Sequence, residues 1–158
     1  MLLFKKILCP TDFSEPSYKA LKVADDLAKE FKSELILVHA LSPLQAFPTA
    51  PEFTSGQATA GGDILAQIPA EVERYALDSL VMTLKDKVSE DVNAKSELLH
   101  GNPADQIVRY AEESKVSAII MGTHGFTGWR HLLLGSVTEK VVRLSSCPVL
   151  TIPAHDLE

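Results

Sequence analysis

Three glycines punctuate the run Gly122-Thr123-His124-Gly125-Phe126-Thr127-Gly128, and a Gly135-Ser136 pair follows it. The run continues directly from an apolar segment, Ser117 to Met121. Glycine tolerates dihedrals and close approaches that other residues resist, so such a loop between a strand and a helix can aim bare main-chain N–H groups at an anion. The chemistry this suits is phosphate binding. The spacing Gly-x2-Gly-x9-Gly-Ser is not that of the P-loop, since no Gly-Lys-Ser/Thr follows, nor of the dinucleotide Gly-x-Gly-x-x-Gly fingerprint. No Gly-x-Ser-x-Gly nucleophile elbow is present, and no base or arginine finger stands out, so no catalytic residue is nominated. His39, His100 and His124 all fall near strand ends, but without i, i+4 spacing or a cysteine at zinc-like separation they argue against a metal site. His124, inside the loop, reads as a phosphate contact or a loop-packing residue. Trp129, Arg130 and His131 are equally an exposed loop tip or contacts to phosphate or a partner.

These residues need a scaffold. Phe4 to Pro10 and Glu34 to His39 have the Ile, Leu and Val content of strands buried on both faces of a parallel sheet. Between them a helix is expected, with Ser14 as N-cap, Pro16 in the first turn, and Tyr18, Leu21, Ala24, Ala28 and Phe31 as its apolar stripe. Leu41 to Gly62 reads as a long loop without periodicity. Asp63 to about Val88 reads as a long helix with Leu77, Leu80, Val81, Leu84 and Val88 inward, and a third strand lies within Val92 to Leu99. Asn102 and Pro103 open another helix, with Asp105 favouring its N-terminus. Ser117 to Met121 is the fourth strand. Ser136 to Glu139 has the form of a capping box that starts a helix carrying Val137, Val141 and Leu144, and Pro148 to Ile152 is the fifth strand. The alternation predicts one α/β domain over residues 1–158, an open doubly wound five-stranded parallel sheet with helices on both faces. In such sheets ligands bind beyond the carboxyl ends of the strands, where strand order reverses.

The glycine loop resembles the ATP-binding signature of the universal stress protein family, and Ile7-Leu-Cys-Pro-Thr-Asp12-Phe-Ser and Cys147-Pro-Val-Leu extend the resemblance over nearly the whole chain. It implies strand order 3-2-1-4-5, so the first and fourth strands, ending at Asp12 and Gly122, would flank one crevice. By the same resemblance Asp12 meets the ribose or a phosphate-bound Mg²⁺, and Pro10 and Thr11 line the adenine side. Ala40 offers main-chain N–H and C=O to the base. Gly122 and Gly125 let the backbone approach the phosphates, with Thr123 and His124 in the same loop, and Gly135, Ser136, Val137 and Thr138 present amides and hydroxyls at the start of the last helix. Asp12 and Ser136 also have structural readings, as a turn residue and as a helix cap. The implied function is an ATP-binding, nucleotide-dependent regulatory homodimer of the stress response. The fifth strand supplies a physical motive for the dimer, because an edge strand exposes unpaired amides that a second copy can cover. A slow ATPase or self-phosphorylating enzyme, with Ser136 or Thr138 as acceptor, is one alternative. The His-x-Gly-His and Ser-Gly-Gly-x-Asp-Ser loops of related adenine-nucleotide enzymes are absent. A dimeric scaffold that has lost its nucleotide is another, against which the intact glycines argue.

Composition bounds the partners. A chain of 158 residues is long enough to bury a core, and its net charge of -6 gives no long-range attraction for nucleic acid or an anionic membrane surface, both of which call for a basic face. No apolar stretch reaches the ~20 residues of a membrane span. Cys9 and Cys147 lie in apolar runs, taken as strands, and nothing before the first strand resembles an export signal, so a reducing cytoplasm is expected.

Overall fold

The computed structural model describes residues 4–42, 68–124 and 134–154. Most of the expected Leu41 to Gly62 loop, and Gly125 with the rest of the loop tip, lie outside these residues. The elements alternate as β1 (Lys6–Pro10), α1 (Glu15–Phe31), β2 (Glu34–Leu41), α2 (Ala70–Lys87), β3 (Asn93–His100), α3 (Pro103–Glu113), β4 (Ala118–Gly122), α4 (Ser136–Leu144) and β5 (Val149–Ile152). All strand pairs are parallel, and the sheet order is β3-β2-β1-β4-β5.

The period-two geometry of a strand sends successive side chains of β1 to opposite faces. Ile7 and Cys9 join Leu35, Leu37, Leu21, Ala24 and Leu80 beneath α1 and α2, while Leu8 joins Ile36, Val38, Ile107, Ile119 and Val141 beneath α3 and α4. Each face of the sheet therefore carries its own core. Burial pushes the Cys9 thiol up to about 12, so it stays neutral across the physiological range.

Local signals explain the helix ends. Ser14 caps α1 by accepting from Ser17 N, and Asn102 caps α3 by accepting from Asp105 N at 3.3 Å. Helix α2 begins at Ala70, because Pro69 at the N-cap position is extended, with φ -56 and ψ 137, and interrupts the helix expected from Asp63 to about Val88; Asp63 itself lies outside the described residues. Its inward face is also rotated from the expected stripe. Ala76, Leu80 and Thr83 are buried, whereas Leu77 and Val81 are exposed. Small side chains on either side of Leu80 let the helix settle on the sheet, and Thr83 satisfies its hydroxyl by donating to Ser79 O. On α1, Phe31 is half exposed and stacks on Phe4 instead of entering the core. Cys147 precedes β5 in a turn held by Ser145 rather than lying within the strand.

One buried charge has no counterpart in the hydrophobic pattern. Asp25 on α1 is 2% exposed and accepts from Ser89 N at 3.0 Å and Ser89 Oγ at 2.8 Å. It thereby ties α1 to the turn between α2 and β3, and its desolvation is offset by two hydrogen bonds.

Candidate functional site

The ladder between β1 and β4 pairs Ile7 with Ala118 and Leu8 with Ile119 and stops there, whereas β1 stays paired with β2 through Pro10 and Val38. The carboxyl ends of β1 and β4 thus part at the point where strand order reverses, as open α/β sheets do at their ligand sites. A cleft of about 530 Å³ opens between them. Pro10, Thr11 and Asp12 line it from β1 and the following turn, Ala40 from β2, Gly122 from the end of β4 and His124 from just beyond it, and Gly135, Ser136, Val137 and Thr138 from the start of α4. Thr123 is not among the lining residues.

The two ends of the cleft differ in chemistry. Ala40, Leu41, Ile107 and Met121 are nearly fully buried and form an apolar wall with Pro103. At the other end lies the first turn of α4. Gly135, not Ser136, is the N-cap residue, with φ -67 and ψ 159, and no side chain caps the helix. The expected capping box does not form. Ser136 is already helical, Glu139 N donates to Gly135 O at 2.8 Å, and the Glu139 carboxylate pairs with Arg143 at 3.5 Å. The amides of Ser136, Val137 and Thr138 consequently begin the helix without a side-chain acceptor, at its positive dipole end.

The stem of the glycine loop is closed by two hydrogen bonds. Gly135 N donates to Thr123 O at 2.7 Å, and the buried Thr138 hydroxyl donates to Gly122 O at 2.8 Å. The Thr138 hydroxyl proton is therefore spent within the protein, although Thr138 lines the cleft. Gly122 is likewise needed for packing. A β-carbon there would sit 3.1 Å from Pro16 O and 3.2 Å from His124 O, so its absence lets the end of β4 lie against the first turn of α1.

Opposite this stem, the turn after β1 is held in an unusual conformation. Phe13 has φ 64, in the left-handed region that non-glycine residues seldom adopt. Thr11 Oγ1 accepts from Phe13 N at 3.0 Å and pairs with Ser17 Oγ at 2.9 Å. Asp12 Oδ1 accepts from Ser14 N at 3.1 Å and from the Ser14 hydroxyl. Asp12 thus serves as a turn residue and lines the cleft at the same time. His39, considered in the sequence only as a metal ligand, also lines the cleft; its Nδ1 lies 2.8 Å from Thr11 O and its ring stacks on Phe13 at 4.6 Å. Ser17, Leu41, Pro103, Ile107 and Met121 were not anticipated as lining residues. The only signal for them was their position at strand ends or in first helical turns, which becomes informative once the strand order is known.

Comparison with known proteins agrees with this architecture. Residues 3–153 match the model of the universal stress protein family. The chain is 36% identical over 154 residues to universal stress protein MJ0531 of Methanocaldococcus jannaschii, covering 95% of this chain and 82% of that one. It is 35% identical to universal stress protein YxiE of Bacillus subtilis, covering 95% and 99%. The solved structure of MJ0577, from the same archaeon as MJ0531, superposes with a TM-score of 0.74 at 32% identity, covering 98% of this chain and 99% of that chain. A universal stress protein solved in complex with cAMP shares the fold, with a TM-score of 0.69 at 21% identity and coverage of 97% and 99%. On the match along nearly its full length and on the sheet order, this chain belongs to the universal stress protein family.

Proposed function

We propose that the cleft binds an adenine nucleotide, ATP with its Mg²⁺, and that the protein is a nucleotide-dependent regulatory homodimer of the stress response in the cytoplasm. The observation that carries this reading is the first turn of α4, which opens into the cleft without a side-chain cap. The base lies toward Ala40 and the apolar wall, the ribose toward Asp12, and the phosphates over Gly135 to Thr138 and the glycine loop that includes Gly125. The helix dipole contributes only ~0.3–1 kcal/mol at an exposed site, so amide hydrogen bonds to charged oxygens, worth about 1.5–3 kcal/mol each, supply most of the phosphate affinity. Mg²⁺ prefers phosphate oxygens, one or two carboxylates and water, and Asp12 is the carboxylate at the cleft.

Freshly purified protein is expected to release an adenine nucleotide on denaturation, identified by chromatography of the supernatant. Another nucleobase in its place would contradict the assignment. The proposed homodimer pairs through β5; this reading is supported by the edge position of β5 after β4 and by Leu150, which is 44% exposed. Antiparallel pairing of two copies covers both the free edge and this side chain. Light scattering at micromolar concentration is expected to give twice the chain mass, and a monomer would refute the arrangement.

A further inference from the structure

We infer that His39 is a base-selecting residue of the cleft, presenting a hydrogen-bond acceptor to the exocyclic amine of the nucleotide's base. This rests on the proposed nucleotide site, and extends it with a recognition group on the opposite face of β2 from the side chain of Ala40. The two nitrogens of the imidazole differ in their surroundings. A carbonyl oxygen accepts and never donates, so the 2.8 Å contact of Nδ1 with Thr11 O requires the ring proton to sit on Nδ1. In the neutral ring Nε2 is then an acceptor.

Nε2 has no hydrogen-bond partner among the described residues. No buried side-chain nitrogen or oxygen there lacks a partner, so Nε2 is open to solvent. The ring itself lines the cleft, held at 4.6 Å against Phe13, and Phe13 occupies its left-handed conformation within the same turn that carries Thr11 and Asp12. Tautomer and orientation are thereby fixed before any ligand arrives, which reduces the ordering cost of binding. Thr11 and Ala40, the neighbours of His39 in space and in sequence, are the residues assigned to the base. An acceptor beside the base favours a 6-amino group, as in adenine, and disfavours the 6-oxo group of hypoxanthine or guanine, whose oxygen would face a lone pair.

Two near-isosteres separate the two nitrogens. In His39→Asn the side-chain amide can still donate to Thr11 O but nothing reaches the position of Nε2, while in His39→Gln an acceptor can reach that position without the bond to Thr11. Calorimetric titrations of the full chain with the Mg²⁺ complexes of ATP, ITP and 2′-deoxy-ATP supply the readout. The wild type is expected to prefer ATP over ITP, and His39→Asn to lose roughly fivefold or more of that preference while its melting temperature and its ATP to 2′-deoxy-ATP ratio stay close to wild type. His39→Gln is expected to keep more of the preference. An unchanged ATP to ITP ratio in His39→Asn would overturn the inference while leaving the nucleotide site standing, and absence of binding to all three ligands by the wild type would overturn both. Nitrogen-15 correlation spectra of the free protein above pH 8 test the tautomer independently of any ligand or variant. A protonated Nδ1 with a pyridine-like Nε2 is expected, and the opposite tautomer would overturn the inference.

Discussion

Gly122→Val is expected to destabilise the protein by on the order of 3 kcal/mol, at the upper end of what overpacking of a core costs. The cause is the main chain rather than any side chain. The added β-carbon alone would stand 3.1 Å from Pro16 O, 3.2 Å from Pro16 C and 3.2 Å from His124 O. Backbone atoms cannot rotate away as a flexible side chain would, and valine adds two methyl groups to the same space. Relief requires the end of β4 and the first turn of α1 to separate. That movement strains the bond from the Thr138 hydroxyl to Gly122 O and the turn that carries Asp12, so nucleotide binding should fall with stability. For a domain of this size the loss corresponds to a melting-point decrease of roughly 6–12 °C. Gly135→Ala should be milder, since its β-carbon would be 3.3 Å from Thr123 O. Thermal unfolding followed by circular dichroism is the check, and a Gly122→Val protein as stable as wild type would mean that these two segments do not touch.

Ser136→Pro should do the reverse, leaving the fold intact while weakening Mg·ATP binding by about 10- to 100-fold, the equivalent of one hydrogen bond to a charged acceptor. Ser136 is the first residue of α4. Proline is favoured at that position because its fixed φ suits a helix and its missing N–H is not needed within the helix. The residue before a proline must be extended, and Gly135 already is, with ψ 159. The substitution therefore deletes one amide donor from the phosphate end of the cleft with little conformational cost. It also deletes the hydroxyl, so Ser136→Ala is the control that retains the amide. Calorimetry should show Ser136→Ala close to wild type and Ser136→Pro much weaker, with both melting near the wild-type temperature. Equal affinities for the two variants would place the phosphates elsewhere.

The strands and the order of elements were readable because parallel strands buried on both faces leave continuous apolar runs, as in Ile7 to Cys9 and Leu35 to Val38. The cleft residues Pro10, Asp12, Gly122 and Gly135 were readable as ends of such runs and as glycines, but their convergence required the strand order, which came through the resemblance. Other features depend on contacts between distant segments. Ser136 and Glu139 fit a capping box by spacing, yet the chain leaves the extended conformation one residue earlier, because Gly135 N is anchored to Thr123 O across the glycine loop. The contact of His39 with Thr11 arises only from the adjacency of β1 and β2, which brings the Thr11 carbonyl to its ring. The break before α2 comes from the extended backbone of Pro69, which the periodic apolar residues beyond it do not reveal. Its rotated face reflects how closely Ala76 and Thr83 allow the helix to approach the sheet, which apolar spacing alone does not reveal.

In the proposed site, main-chain amides at the start of α4 hold the phosphates of a nucleotide. Titration of nucleotide-free protein with Mg·ATP and with AMP in parallel isolates this contact, because the two ligands share base and ribose and differ in the phosphates offered to those amides. ATP is expected to bind at least about tenfold more tightly, which corresponds to ~1.4 kcal/mol from the added phosphates. AMP binding as tightly as ATP would contradict the account, since the helix end would then contribute nothing to the recognition of a triphosphate.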